Sequence, residues 1–201
     1  SEDTEKDPVW SLTEGRRATV ENAKKAADMG VDMIILTGNP GIGVSNHAIV
    51  HALTELKEAV GDRVILTAGK MHAAGVISEG GENILTENDV DAFIDAGTDI
   101  LLLPAPGTVP GITMEYAHKL IARAHAKGAL AMTTIGTSQE GADEATIREI
   151  ALMCKMAGAD IHHIGDSGYM GMAIPDNITA YSIAIRGKRH TYRRMAMSLL
   201  R

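Results

Sequence analysis

A chain of 201 residues is long enough to bury one substantial core, and 45% apolar content with only 3% aromatic residues and 21 glycines points to an α/β domain cored by Ala, Ile, Leu, Val and Met. A formal charge of -7 speaks against nucleic acid as a partner, and a single cysteine, Cys154, excludes a disulfide framework and fits a reducing, cytoplasmic setting. No apolar run approaches the ~18 residues of a membrane span, and no signal-peptide pattern opens the chain.

The first residue is Ser, which predicts processing or a start partway through a longer gene product. Residues 1 to 9 are acidic and polar. Ser11 and Glu14 have capping-box spacing, and Val20, Ala23 and Ala27 mark one face of a helix ending at Gly30. A strand is predicted at 31 to 37. Asn46 is the predicted cap of a helix over 47 to 60, with Ile49, Leu53, Leu56 and Val60 on one face. A strand at 63 to 68 runs into Gly69-Lys70-Met71-His72, then a Gly/Ser/Asn-rich loop. Thr86 caps a helix over 87 to 96, a strand follows at 99 to 103, and Thr113 caps a helix over 114 to 127. The strand at 129 to 134, the helix at 143 to 157 and the strand at 160 to 164 come next. Residues 176 to 200 read as helix with a break at Gly187.

One phrase occurs three times. Gly30-Val31-Asp32, Gly97-Thr98-Asp99 and Gly158-Ala159-Asp160 each follow a helix, lead into a buried strand, and end in a Gly/Pro or polar turn. Strands alternating with helices of 10 to 15 residues indicate parallel βαβ units, and the continuous apolar runs indicate that both faces are covered. The strands start near 31, 63, 98, 129 and 159. Eight such units make the roughly 250 residues of a (β/α)8 TIM barrel. The chain therefore reads as one α/β barrel domain over 1–201, the C-terminal five units of a longer barrel. An open doubly wound parallel sheet is the alternative.

Polar, glycine-rich segments follow the strands, and the returns after helices are short. Gly136-Thr137-Ser138 and Gly165-Asp166-Ser167-Gly168 are small and rich in donors, as an anion cradle requires. With the repeated strands, these two loops resemble the phosphate-binding barrels of the ribulose-phosphate and aldolase type. The resemblance implies a small phosphorylated or carboxylated substrate bound by Gly136, Thr137, Gly165, Ser167 and Gly168. Asn39, in a Gly-x-Gly loop ahead of a helix, is expected on another wall of the same pocket.

Lys70 sits where an apolar strand ends, the place for a Schiff-base nucleophile, a fixed charge for an oxyanion, or a rim lysine paired with an acid. His72 is its candidate acid/base companion. His162 and His163 are adjacent, so they point to opposite faces of a strand. The expectation is that His162 faces inward and His163 faces the helices. Glu140 is the best placed carboxylate for general-base work. Asp166, His72, Glu140 and His162 would also admit a divalent metal, although no HxH or HExxH spacing supports one, and the cofactor stays unassigned.

His47 and His51 read as surface residues. The segment from Ile178 onward has no Asp or Glu and reads as a helix whose bases offset the acidic remainder. The leading functional reading is a lyase or isomerase working beside a carbonyl of a small anionic metabolite, in a homo-oligomer. The alternatives are a metal-assisted hydrolase or mutase using His162 and Asp166, and a non-catalytic barrel used in assembly or regulation.

Overall fold

The computed structural model describes residues 14–38, 44–72, 76–136, 138–165 and 173–197. Helices and strands alternate: α1 (Val20–Asp28), β1 (Met33–Thr37), α2 (Asn46–Val60), β2 (Ile65–Gly69), α3 (Glu87–Asp95), β3 (Ile100–Pro104), α4 (Met114–Ala126), β4 (Leu130–Ile135), α5 (Glu144–Ala157), β5 (Ile161–Ile164) and α6 (Pro175–Ala196). The caps at Thr86 and Thr113 form as expected, the first as a full capping box with Asp89. The cap of α2 is Ser45 rather than Asn46. Its backbone is extended and its hydroxyl accepts the Ala48 N–H at 3.1 Å, so the helix already includes Asn46. The capping box expected from Ser11 lies outside the described residues, and Thr19 caps α1.

The five strands are parallel and ordered β1-β2-β3-β4-β5. A doubly wound sheet reverses direction at a switch point. No reversal occurs here, so the architecture is the curled sheet of a partial (β/α) barrel, and the doubly wound alternative is set aside. One face carries Leu66, Ala68, Leu101 and Ala131, which share a core with Leu53, Phe93 and Leu120 of the helices. The inner face carries a second cluster of Ile100, Leu102 and Met132, with Met33 and Ile161 against it. This inner wall is only partly covered: Ile35, in the middle of β1, is 41% exposed, and Leu130, at the start of β4, 48%.

The repeated aspartate has a definite job. Asp99 donates its main-chain N–H to Leu66 O and accepts the Leu66 N–H on Oδ2, both at 2.8 Å. Asp160 does the same to Ala131, at 3.0 Å and 2.8 Å. Each carboxylate also meets a base from the last turn of a helix, Lys57 Nζ at 2.9 Å from Asp99 and His125 Nε2 at 2.7 Å from Asp160. The phrase therefore clips alternate strands to their predecessors.

The break in α6 falls at Gly187 (φ 77°, ψ 161°). It folds the last turns back, so that Ser182 Oγ and Thr191 Oγ1 lie 3.0 Å apart across nine residues. Lys188, Arg189, Arg193 and Arg194 are exposed there. No described helix is long and apolar enough to cross a membrane.

Candidate active site at the C-terminal strand ends

A cavity of about 480 Å³ opens where β2, β4 and β5 end, with Met71, Gly136, Glu140, His163 and Gly165 among its lining residues. Glu140 is brought there by a tight turn. Ser138 adopts a left-handed backbone (φ 69°), the only non-glycine among the described residues to do so, and starts the 3-10 turn Gln139–Gly141. Asn177, in the first turn of α6, holds that turn from outside: its Nδ2 donates to Glu140 O and to Ala142 O, each at 2.9 Å. The Glu140 side chain is only 8% exposed, and its Oε2 has no hydrogen-bond partner among the described residues. A carboxylate removed from water without a donor is costly. The residue that carries this oxygen lines the cavity.

Asn177 is itself buried, so its loss would strand two main-chain carbonyls. Asn177→Ala is expected to lower stability by about 1–3 kcal/mol in urea unfolding. Asn177→Asp should fare no better, because an ionised carboxylate has no proton to offer either carbonyl.

The orientation of the two histidines is the reverse of the expectation. His162 pairs in register with Thr133, and Thr133 has the parity of Ala131 and Leu103 on the helix-facing side. Its Nδ1 lies 2.9 Å from the Tyr181 hydroxyl of α6, with the ring centroids 5.3 Å apart. His163 takes the inward parity and lines the cavity. The metal-assisted reading loses one of its two named residues by this correction. The other, Asp166, lies outside the described residues, as do Asn39, Thr137, Ser167 and Gly168. Among the described residues no three His, Cys, Asp or Glu side chains gather as a metal site would require.

Burial pushes the His162 imidazole below its ordinary value, with the charge of Asp160 acting in the opposite direction. A histidine depressed in the folded state is protonated first in the unfolded chain. Its contribution to stability is therefore complete above the unfolded value near 6.5 and drains as pH falls toward the folded one. Burial depresses His72 too, so it adds in the same direction. The thermal midpoint is expected to fall between pH 7 and pH 5, with a shallower slope in His162→Asn, measured by scanning calorimetry.

Lys70 is not a rim lysine. It is 1% exposed and immediately follows β2, where strand alternation groups it with the helix-facing Leu66 and Ala68. Its neighbour Met71 packs on the inner cluster and lines the cavity. His72 is half-buried beyond it. The expected anion cradle is altered at Gly165. Its N–H donates to Ile135 O at 2.9 Å, which extends the ladder by one bond, so this amide is already engaged. Gly136 and Gly165 do lie on one cavity, as adjacent barrel strands require. A Cβ at Gly165 would crowd the Ile135 carbonyl oxygen at 3.1 Å and stand in ordinary contact, 3.5 Å, with the Glu140 carboxyl carbon.

Sequence reasoning missed His163 as the inward residue and Asn177 as the clamp. For the first, the Gly-x-Asp phrase aligns His162 with Leu101 but does not say which face the two share. The second had no signal, since Pro175-Asp176-Asn177 reads as an ordinary first helical turn.

Sequential parallel strands with alternating helices and a cavity at their C-terminal ends define the chain as a partial (β/α) barrel. It belongs to the family described as Domain of unknown function (DUF7916), whose model matches residues 1–201. No curated protein matches it in sequence. Among solved structures it is similar to a protein assigned as a deoxyribose-phosphate aldolase from Coccidioides immitis, with TM-score 0.62 and 15% identity over 87% of this chain and 63% of that one. A protein assigned as a lyase/mutase from Burkholderia cenocepacia gives TM-score 0.60 and 15% identity over 85% of this chain and 63% of that one. A variant of methylaspartate ammonia lyase from Clostridium tetanomorphum gives 0.54 and 14% over 90% of this chain and 40% of that one. The chain thus spans less than two thirds of the length of each, and at these identities the likeness is one of fold.

Proposed function

We propose that the chain carries the reacting face of a lyase that cleaves a bond beside a carbonyl in a small anionic metabolite, with Glu140 as general base. The observation that carries this reading is the buried Glu140 carboxylate, with one oxygen lacking a partner among the described residues, on a cavity at the strand ends. A β-hydroxy carbonyl compound offers the donor that this oxygen lacks. Glu140 takes the hydroxyl proton, the oxygen electrons form a new carbonyl, and the carbon–carbon bond breaks toward the original carbonyl as an enolate. His163, on the same cavity, supplies the proton that quenches it. The phosphorylated or carboxylated end of the substrate is the part the resemblance implies, with Gly136 on the same wall.

The test is a panel of β-hydroxy carbonyl phosphates and acids, with aldehyde release followed by a coupled dehydrogenase. Release from at least one member, abolished in Glu140→Gln, supports the reading. No release from any member by the wild-type protein sinks it. Borohydride added during turnover then tests Lys70: a covalent adduct on Lys70 marks a Schiff base, and unmodified Lys70 removes that role and leaves a fixed charge or a structural lysine.

A further inference from the structure

The clip described for Asp99 and Asp160 is only half made at Asp32. Besides reaching back to Leu66, Asp99 accepts the N–H of Leu130 in the next strand on its main-chain carbonyl, at 3.1 Å. Asp32, at the same place in the same phrase, makes this forward bond: its carbonyl accepts the Ile65 N–H at 2.9 Å. The two groups that reach backward in Asp99, the main-chain N–H and the carboxylate, have no hydrogen-bond partner at Asp32 among the described residues, and the residue is exposed. Beside it on the inner wall, Ile35 is half-open to solvent.

The order of the phrase counts what would cover this edge. It falls on β1, β3 and β5, while β2 and β4 supply the clipped residues Leu66 and Ala131. A ring that keeps the alternation has a clipped strand before β1 and another after β5, so the added strands are odd in number. Three added strands close a barrel of eight, whose interior side chains just fill. Five strands in eight also matches the 63% of the aldolase-assigned neighbour that the chain spans. A second copy does not fit, because its β5 carries the phrase and would set two clipping strands side by side. The approach is set by α1, which packs beside α2 and leads into β1 as a crossover helix does. Right-handed crossover places the strand that precedes such a helix next to β1.

We propose that the β1 edge seats one further parallel strand, the last of three βα units on the N-terminal side of the same polypeptide, with Asp32 as the carboxylate that receives that strand's main-chain N–H. The test compares the intact natural gene product with the 201-residue chain. Because α1 already supplies the helix of the third unit, the natural product is expected to exceed the 21.3 kDa of this chain by roughly two units of about 30 residues and one strand. In it, Asp32→Ala and Asp99→Ala should each lower the thermal midpoint by roughly 3–8 °C. In the 201-residue chain only Asp99→Ala should do so. A natural product of 21.3 kDa overturns the proposal, whether light scattering finds it monomeric or paired with a second copy. An Asp32→Ala change that is silent in the longer product overturns it too, and so does one as damaging as Asp99→Ala in the shorter chain. Should the shorter chain not fold by itself, the comparison within the longer product decides.

Discussion

Glu140→Gln is expected to lower kcat by about 10²–10⁴ while leaving the protein as stable as before or more so. The substitution keeps size and shape and removes the charge. A glutamine can offer its amide to nearby carbonyls, so the desolvation cost of an unpaired buried carboxylate disappears. If Glu140 served only to cap the turn that contains it, neutralising it would weaken that turn and the unfolding midpoint would drop. The two measurements therefore move apart under the catalytic role and together under the structural one. Urea unfolding needs no substrate and can be read first. A fall in stability with turnover intact would remove Glu140 from the mechanism.

Gly69→Ala is expected to cost more than about 3 kcal/mol, beyond the usual range for an overpacked core. Gly69 pairs with Leu102 across β2 and β3, and a Cβ there would lie 1.8 Å from the Leu102 carbonyl oxygen. The obstacle is main chain in a neighbouring strand, so no side-chain rotation relieves it. The two strands would have to part at the level of the inner cluster and of Lys70. Gly136→Ala is the control, since its Cβ meets nothing within 4 Å. Equal midpoints for Gly69→Ala and wild type in denaturant titrations would refute the close approach.

The architecture was legible because its signals are local and repeated. Helix caps at Thr86 and Thr113, the αL stop at Gly158 and the break at Gly187 depend on a few neighbouring residues, and each lies where the pattern predicts. The facing of β5 was less legible. Ile161 and Ile164 lie on opposite faces of the strand, so they give no alternation to orient the histidines between them. Matching His162 to Leu101 through the repeat was sound, but Leu101 faces the helices and not the barrel interior. Lys70 shows a different limit. Its place at a strand end was readable, whereas its near-complete burial was not. The hold of Asn177 on Glu140 joins residues 37 positions apart, and nothing near either one announces the other.

If Glu140 is the base proposed above, that hold makes α6 part of the reacting machinery without lending it a reacting group. Asn177 is near the start of the helix, and the helix is held again just before its break, where Lys155 of α5 donates to Ile185 O at 2.7 Å. None of the four strand pairings runs through the helix, although its Ala180 and Tyr181 close a core over Ile135, Ile147 and Cys154. On the proposed role of Glu140, activity is expected to be lost before global unfolding along a denaturant or protease titration. A C-terminal truncation ahead of Pro175 would yield a chain with native-like circular dichroism from the sheet and its helices, and no aim to its carboxylate.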